Sequence, residues 1–524
     1  MYGGGVMVRT GWGDLFSDDR RTTVLRAAGL GCFFVWFWAA LQNPDIPLYR
    51  PAGLLSDSAY WLLALASAVA ACGAALALAR RRLAGRKTME SGLTLGLTGL
   101  YVAVYVLAAV GGTRNALDGV LIVVTGVLAG WLFVSWGVSV GSRNPRAVLF
   151  VTCVASVVAF VLVAMLYQLE RMWYAVVISL LPLVSVGLLL AAGVEPEMDI
   201  GPDGPSGNAS SFRQRLKLLA TIFAQGMAFG LLHALYGSVS LEKCSDPFCP
   251  LRFLNGFFPS VAVENFYGFM SIFGVLLAAV VVLVGASMLR LNFRKLIYVV
   301  GFPLMALGFL VLTADAGLRT PGATSHASGV NFTMGEVVYV AGYYYAVITM
   351  WALCSYLART GKDDRAVLFA WTGLALFLGQ FVGFLVSAAV GFAAFSGAVF
   401  CVIALFLLML VSLLIATDEG LWGEWGGARP DDRDRPSAFK AACESIARES
   451  RLTPRESDVF VLLARGRNAS VVAEQLVVTE DTVKTHSRSL YHKLGVHSQQ
   501  ELIDRVEAEI DLYRDQRFRP GKKK

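Results

Sequence analysis

Long apolar runs, each about as long as a membrane-spanning helix, fill most of the first four fifths of the chain. A helix crosses the hydrocarbon core of a bilayer with about 20 residues, and the charged residues lie almost wholly between these runs. Because open sheets cannot be buried in lipid, the runs predict helices. Twelve spans are predicted, near residues 24–42, 59–79, 91–111, 117–137, 147–167, 172–193, 216–239, 266–289, 296–314, 334–357, 366–388 and 397–416.

A polar stretch rich in Gly, Pro and Asp, residues 194–215, separates the first six runs from the last six. This composition is typical of a flexible linker. We therefore predict two membrane halves, at 24–193 and 216–416, preceded by a short segment at 1–23. No signal peptide is expected, because acidic residues precede the first run and no small-residue cleavage site follows it.

Six spans, a linker and six more spans resemble the architecture of the major facilitator superfamily, whose halves are related structural repeats. In that family the loop between spans two and three usually reads Gly-x-x-x-Asp-Arg-x-Gly-Arg-Lys. Here Gly85, Arg86 and Lys87 match, whereas Arg82 stands in place of the aspartate. The resemblance implies a ligand site between the two halves, and the departure argues against that family's gating mechanism.

The density of charged residues distinguishes residues 418–524 from the membrane part, and the distribution of basic residues indicates the orientation of the spans. Charged residues make up about 11% of residues 1–417 and about 36% of residues 418–524, against roughly a quarter in soluble domains. The formal charge of +7 lies entirely in the first part. There, alternate loops counted from the N-terminus hold 20 basic residues and the intervening loops hold 6, which predicts that both termini are cytoplasmic.

Few polar residues interrupt the spans. Gln225 and His233 lie in the seventh run, Glu336 lies near the outer end of the tenth, and Gln380 lies in the eleventh. Polar groups within a membrane often mark a functional site, so these four are the candidate ligand contacts. The alternatives are solvation of Glu336 at the interface and a hydrogen bond from His233 to a neighbouring helix.

Aromatic residues and glycines in the spans allow either a functional or a packing interpretation. Residues 343–345 are consecutive tyrosines that, with Trp36 and Trp38, could line an aromatic pocket or simply pack. Small residues four apart let helices approach closely. The pairs with this spacing are Gly92 with Gly96 and Gly126 with Gly130.

Two of the eight cysteines, Cys244 and Cys249, lie in a loop that the charge pattern places outside the cell. An oxidising exterior allows a disulfide bond between them. The histidines of the C-terminal part do not have the spacing of a zinc site, and no phosphate-binding or dinucleotide-binding glycine motif is present. We therefore predict no metal, no cofactor and no enzymatic activity.

Residues 417–449 form a linker rich in Gly, Pro and charge. Within it, Phe439, Ala442, Cys443 and Ile446 recur at helical spacing, which predicts a short amphipathic helix. Its apolar face would pack either on the following domain or on a second copy of the chain.

Residues 450–524 carry the start and stop signals of three short helices. Pro454 suits a first helical turn, Gly466 ends that helix, and Asn468 can cap the second. Thr479 caps a third helix, which ends at Gly495. Three short helices with a tight turn before the third indicate a helix-turn-helix domain.

The third helix has two distinct faces when it is read at about 100° per residue. Val483, Leu490 and Leu494 form an apolar stripe that should be buried. Such a helix fits the major groove of DNA, where Lys and Arg can bind guanine, and a merely solvated polar face is the alternative. The residues on the polar face are Asp481, Lys484, Thr485, Arg488 and His492.

Motifs in this segment resemble the LuxR-type (NarL-like) DNA-binding domain. L-T-P-R-E, A-E-x-L, T-V-K-x-H and K-L-G-V-x-S occur in that order and at that family's spacing. The resemblance implies that Lys484, Thr485 and Arg488 face base edges of double-stranded DNA. It also implies that Lys493 lies close to the phosphate backbone.

These features predict an all-α protein with a twelve-helix bundle, six spans plus six, in a bacterial inner membrane and a small helix-turn-helix domain. The favoured function is a one-component transcriptional regulator, in which a small molecule bound by the spans changes DNA binding by a homodimer of the C-terminal domain. One alternative is a major-facilitator-like transporter with a regulatory DNA-binding tail. The other is a tether that holds DNA at the membrane. The ligand and the operator stay open.

Overall fold

The computed structural model describes residues 20–41, 57–80, 86–110, 114–193, 212–236, 266–289, 291–293, 295–317, 328–360, 364–390, 438–464, 469–476 and 478–518, and also positions 402, 405, 406, 408 and 409. All regular structure in these ranges is helical, which confirms the all-α prediction. Contacts divide the chain into two compact units, Met1–Pro430 and Asp431–Lys524.

The described part of the first unit contains eleven α-helices. Two π-helical segments, Val284–Met288 and Lys295–Gly301, follow the eighth helix and precede the ninth. The α-helices are α1 (Arg20–Leu41), α2 (Asp57–Arg80), α3 (Arg86–Val110), α4 (Arg114–Val140), α5 (Pro145–Leu166), α6 (Arg171–Ala192), α7 (Phe212–Tyr236), α8 (Phe266–Leu283), α9 (Phe302–Gly317), α10 (Ser328–Thr360) and α11 (Arg365–Val390).

Eight helices in the described residues, α1 to α6 with α10 and α11, are long and apolar enough to cross a membrane. Three shorter apolar segments, Leu216–Leu231, Ser271–Ala286 and Lys295–Val311, fall on the seventh, eighth and ninth predicted spans. The first eleven predicted spans therefore all fall on helices, and this unit is a membrane domain. The twelfth predicted span, 397–416, lies almost wholly outside the described residues.

Helix pairing in the first unit repeats after six spans. In the first half α1 packs on α5, α2 on α4, and α3 on α4. In the second half α7 packs on α11, α8 on α10, and α9 on α10. Contacts between the halves show the same correspondence, in which each helix is exchanged for the one six places away. The contact of α2 with α11 then corresponds to that of α8 with α5, and the contact of α4 with α11 corresponds to that of α10 with α5. Two structurally related halves produce this pattern.

Glycines set how closely some of these helices approach. Gly126 and Gly130 of α4 lie directly against the backbone of α2, as the spacing predicts. Around Gly92 and Gly96 of α3, no described atom lies within 4 Å of the place that a Cβ would take. No described helix therefore packs closely on that pair, although α3 contacts α4 and α6.

Four glycines join α7 to α11. Gly226 and Gly230 of α7 lie against the backbone of α11, and Gly379 and Gly383 of α11 lie against the backbone of α7. A Cβ at any of the four would come closer than 3.0 Å to a backbone oxygen of the opposite helix. Small residues on both surfaces let the two backbones meet without a cavity between them.

The second unit has five helices among its described residues. They are α12 (Ala438–Glu449), α13 (Pro454–Ala464), α14 (Ala469–Leu476), α15 (Glu480–Leu494) and α16 (Gln499–Phe518). One apolar core holds them together, with contributions from every helix: Ala442, Cys443, Ile446, Val459, Phe460, Leu463, Val472, Val483, Leu490, Leu494, Leu502 and Val506.

The amphipathic helix predicted in the linker is α12, and it belongs to this core. Ala442, Cys443 and Ile446 are each exposed by 2% or less, and α12 packs mainly on α16. Of the two predicted partners for its apolar face, the structure shows the following domain. The side chain of Phe439 lies outside the described residues.

Candidate DNA interface and membrane polar sites

The ends of α15 are fixed by its own sequence. Thr479 caps the start, where its Oγ1 accepts a hydrogen bond from the backbone N–H of Thr482 at 3.3 Å. Gly495 ends the helix with a φ of 65°, a left-handed backbone conformation that residues with a side chain rarely adopt. Between the caps the apolar stripe is buried and α15 packs on α13 and α14, so the opposite face points outward.

The polar face of α15 lies on the surface of the domain. Asp481, Lys484, Thr485, Arg488 and His492 are all exposed. The exposed fraction of the side chain is 93% for Asp481 and 57% for Lys484. The helix thus presents the face that the sequence predicted, and DNA contact by these residues stays a prediction.

Two residues of this face make local interactions that DNA binding would replace. Lys484 Nζ lies 3.8 Å from Glu480 Oε2 and 3.6 Å from Asp481 Oδ1. Thr485 Oγ1 donates to the backbone oxygen of Asp481 at 2.8 Å. Exposed helical ion pairs contribute only about 0.5 kcal/mol, so a base or a phosphate can displace the carboxylates. Arg488 forms no ion pair or hydrogen bond with another described side chain.

Glu456, a buried carboxylate that was not among the predicted site residues, ties the start of α13 to α15. Its side chain is 6% exposed. Its Oε1 accepts from Ser489 Oγ at 2.6 Å, and its Oε2 accepts from Lys493 Nζ at 2.6 Å. The backbone N–H of Thr453 also donates to Oε2, at 2.8 Å. The spacing Thr453-x-x-Glu456 is a capping box, and it is the sequence signal that identifies this carboxylate.

These donors keep Glu456 ionised. The Lys493 ammonium above all, and then the Ser489 hydroxyl and the Thr453 backbone N–H, lower the pKa of Glu456 from about 4.5 to about 2. Hydrogen bonds to the charged form outweigh the opposing effect of burial. The carboxylate is therefore negative at neutral pH and compensates the charge of Lys493.

Lys493 consequently has an internal partner as well as the predicted external one. Its side chain is 34% exposed, so a phosphate could still reach it. However, the ammonium is already hydrogen-bonded to Glu456, and a phosphate would have to share it. The phosphate contact of Lys493 stays a prediction, and the structure adds a role in holding α13 against α15.

The turn between α12 and α13 places an arginine in a conformation that favours glycine. Arg451 has a φ of 50° and is the only non-glycine residue with positive φ in the described ranges. The N–H of Leu452 donates to the carbonyl of Ala447 at 2.9 Å, and the N–H of Arg451 donates to that of Arg448 at 3.3 Å. This is the pattern of a Schellman helix end. An L-residue other than glycine costs roughly 1 kcal/mol there.

Three of the predicted ligand contacts are buried in the membrane domain. Gln380 Nε2 donates to Tyr343 Oη at 2.6 Å and so joins α11 to α10. Gln225 is 5% exposed. Glu336 is 6% exposed, so the alternative of a solvated carboxylate is wrong. His233 lies in α7, and its side chain is outside the described residues.

The aromatic candidates pack in the protein interior. Trp36 Nε1 donates to Tyr101 Oη at 3.0 Å, and Trp38 Nε1 donates to Ser271 Oγ at 2.6 Å. The three tyrosines at 343–345 are exposed by 1% or less. The ring centroid of Tyr343 lies 4.1 Å from that of Phe229 on α7. These contacts favour the packing interpretation.

Cys244 and Cys249 lie outside the described residues, and their disulfide bond stays a prediction. Within the described ranges, no group of three or more His, Cys, Asp or Glu residues could hold a metal ion.

The solved structures similar to the chain include membrane transporters. A bacterial homologue of the iron transporter ferroportin, in an outward-facing state with soaked iron, has a TM-score of 0.48 at 14% identity, covering 76% of this chain and 99% of that one. The major facilitator superfamily proton:xylose symporter XylE has a TM-score of 0.47 at 12% identity, covering 77% of this chain and 94% of that one.

The curated relatives match a short part of the chain. The HTH-type transcriptional regulator MalT of Yersinia pestis (strain Pestoides F) is 40% identical over 67 residues, which is 13% of this chain and 7% of that protein. MalT of Serratia proteamaculans (strain 568) is 40% identical over 62 residues, 12% of this chain and 7% of that protein. The chain thus spans about 7% of the length of these relatives.

Residues 450–506 match the family described as bacterial regulatory proteins, luxR family. This match covers α13, α14 and α15, and it ends within α16. The C-terminal unit therefore contains a LuxR-type helix-turn-helix domain, as the motifs predicted.

Proposed function

We propose that this protein is a membrane-embedded one-component transcriptional regulator. The observation that carries the proposal is the outward face of α15, on which Lys484, Thr485 and Arg488 are exposed in a LuxR-type domain. The same chain contains eight described helices long and apolar enough to cross a membrane. A single polypeptide with both features can sense at the membrane and act on DNA directly.

The proposed topology places both termini in the cytoplasm, at the inner membrane of a bacterium. The ratio of 20 to 6 basic residues in alternate loops supports it. In this arrangement 24–193 and 216–416 are the two membrane halves, and residues 450–524 reach DNA from the cytoplasmic side. Two copies of the domain bind as a homodimer, since helix-turn-helix proteins commonly read two half-sites.

We further propose that the membrane domain binds a small molecule and reports its presence. The buried amides of Gln225 and Gln380 offer polar contacts within the helix bundle. A sensor needs only a difference in affinity between two arrangements. A difference of about 1.4 kcal/mol changes their ratio tenfold.

A genome-wide map of bound DNA, made with and without candidate small molecules, tests the proposal. We expect discrete sites whose occupancy changes with one compound and disappears in Arg488→Ala. A protein that crosslinks to no DNA in cells under any condition would exclude the regulator.

A transporter with a regulatory tail is the second candidate, and one observation favours it. Glu336 is a buried carboxylate in α10, and proton coupling in membranes uses such groups. Purified protein in liposomes separates the two functions. Uptake driven by a proton gradient, lost in Glu336→Gln and without effect on DNA binding, would support the transporter, whereas binding without uptake supports the sensor.

A further inference from the structure

We propose that Arg451 is a phosphate-binding residue of the DNA interface, placed beside α15 by the turn between α12 and α13. The inference rests on the proposed DNA-binding function. It adds a contact that lies outside the helix-turn-helix and outside the polar face of α15.

The position of the turn follows from the carboxylate of Glu456. Thr453, two residues after Arg451, donates its backbone N–H to this carboxylate, and Ser489 and Lys493 of α15 donate to it as well. All three donors lie within 2.8 Å of the Glu456 oxygens. The chain at the start of α13 is therefore held against one flank of α15.

That flank adjoins the outward face of α15. Ser489 follows Arg488 by one residue, and Lys493 follows His492 by one residue, so each lies about 100° around the helix from a member of the polar face. The buried stripe lies about 100° further on. Thr453, two residues after Arg451, is thus held at the edge of the polar face, and we infer that Arg451 lies near the same edge.

The dimensions of DNA then decide what Arg451 meets. A helix with its side chains is about 10–12 Å across, and the major groove is about 12 Å wide. A helix inserted in the groove fills it, so protein beside the helix meets the wall of the groove, which is the phosphate backbone. A guanidinium is well suited to bind phosphate because it offers parallel N–H donors.

The backbone conformation of Arg451 is the second observation. Its φ of 50° is one that glycine adopts without strain. The side chain is exposed, and its guanidinium forms no ion pair or hydrogen bond with another described residue. Two other cations of the same domain do have internal partners. Lys493 pairs with Glu456, and Arg455 lies 4.0 Å from Asp458. An arginine that strains the turn without an internal partner is explained by a partner outside.

The test uses the full-length protein in detergent micelles and a mixed-sequence DNA duplex, because phosphate binding does not depend on sequence. Arg451→Gly removes the charge and relieves the strain. For each phosphate that the variant no longer binds, we expect the affinity at about 0.15 M salt to fall about fivefold and the slope of log K against log salt to shrink by about 0.9. Arg451→Lys keeps the charge and should retain the slope.

Stability separates DNA contact from a structural role. The thiol of Cys443 is buried in the core of the same unit, so its labelling, followed by mass spectrometry in rising urea, reports unfolding of this unit. We expect Arg451→Gly to resist urea at least as well as the parent protein. An unchanged salt slope in Arg451→Gly, or weaker DNA binding accompanied by easier unfolding, would overturn the inference. Failure of the parent protein to bind any duplex would instead overturn the proposed function.

Discussion

Arg488 and Lys484 are the proposed base contacts on the exposed face of α15, and removing them should reduce specific binding. Removal of one base contact costs about 1–3 kcal/mol, so Arg488→Ala and Lys484→Ala should each weaken binding to a mapped site roughly 5- to 150-fold. DNase footprinting measures this effect. Gln500→Ala, which changes an exposed residue of α16, is the control that should keep full protection. Unchanged protection in Arg488→Ala would contradict the assignment of α15.

Glu456 should make the C-terminal unit sensitive to acid. Its pKa is about 2 in the folded protein and about 4.5 ordinarily, so its charge stabilises the fold above pH 4.5 and this contribution is lost as the pH falls from about 4.5 to about 2. Glu456→Gln should lower the free energy of unfolding at neutral pH by about 1–3 kcal/mol, because Lys493 and Ser489 lose a charged acceptor.

The measurement is urea unfolding of the full chain between neutral and acid pH, reported by labelling of Cys443. The parent protein should lose stability across the acid range more steeply than Glu456→Gln. Parallel pH profiles for the two proteins would show that Glu456 does not carry the acid sensitivity.

At the scale of helices, the interface between α7 and α11 should not tolerate even one methyl group. Gly383→Ala would press a Cβ against the carbonyl oxygen of Met227, and overpacking of this kind typically costs about 1–3 kcal/mol. Gly96→Ala adds the same methyl group where no described atom lies within 4 Å, so it should be neutral or mildly stabilising. Heat-induced aggregation in detergent compares the two, and an equal drop in stability in both would contradict the close packing of α7 on α11.

The pattern of apolar residues predicted the helices well, because helix formation depends on residues that are close together in the chain. Apolar runs of about bilayer length placed the eleven helices, and the spacing of Ala442, Cys443 and Ile446 placed α12. Helix partners could not be predicted in this way. Gly96 and Gly130 have the same four-residue spacing to a second glycine. Among the described residues, however, only Gly130 meets a neighbouring helix, because helix packing depends on residues far away in the chain.

In the candidate sites, too, the local features could be predicted from the sequence and the tertiary contacts could not. The outward face of α15 could be read from helical periodicity alone. The capping box of Thr453 and Glu456 is also local, but the reach of Glu456 to residues 33 and 37 positions later is a tertiary interaction that no motif contains. Glu336 shows the reverse case, since its place near the end of a run suggested water and the folded bundle buries it.

For the whole molecule, the charge pattern predicts which side of the membrane each loop faces. In intact cells, a membrane-impermeant maleimide should label Cys244 in the loop at 240–265 when its thiol is free or has been reduced. Cys443 cannot report the other side, because it is 2% exposed within its own domain. Gln500→Cys provides an exposed thiol in α16, and it should react only after permeabilisation. Labelling of Gln500→Cys in intact cells would reverse the orientation.

Under the proposed function, a chain that carries both membrane helices and a DNA-binding domain cannot travel to its target gene. A soluble regulator finds an operator by diffusing through the cell and sliding along DNA. This protein would move only laterally in the membrane, so the chromosome has to carry the operator to it. Gene response would then depend on the position of the gene in the cell, and moving the operator to a locus that stays far from the envelope should weaken regulation even though the DNA-reading surface of the protein is unchanged.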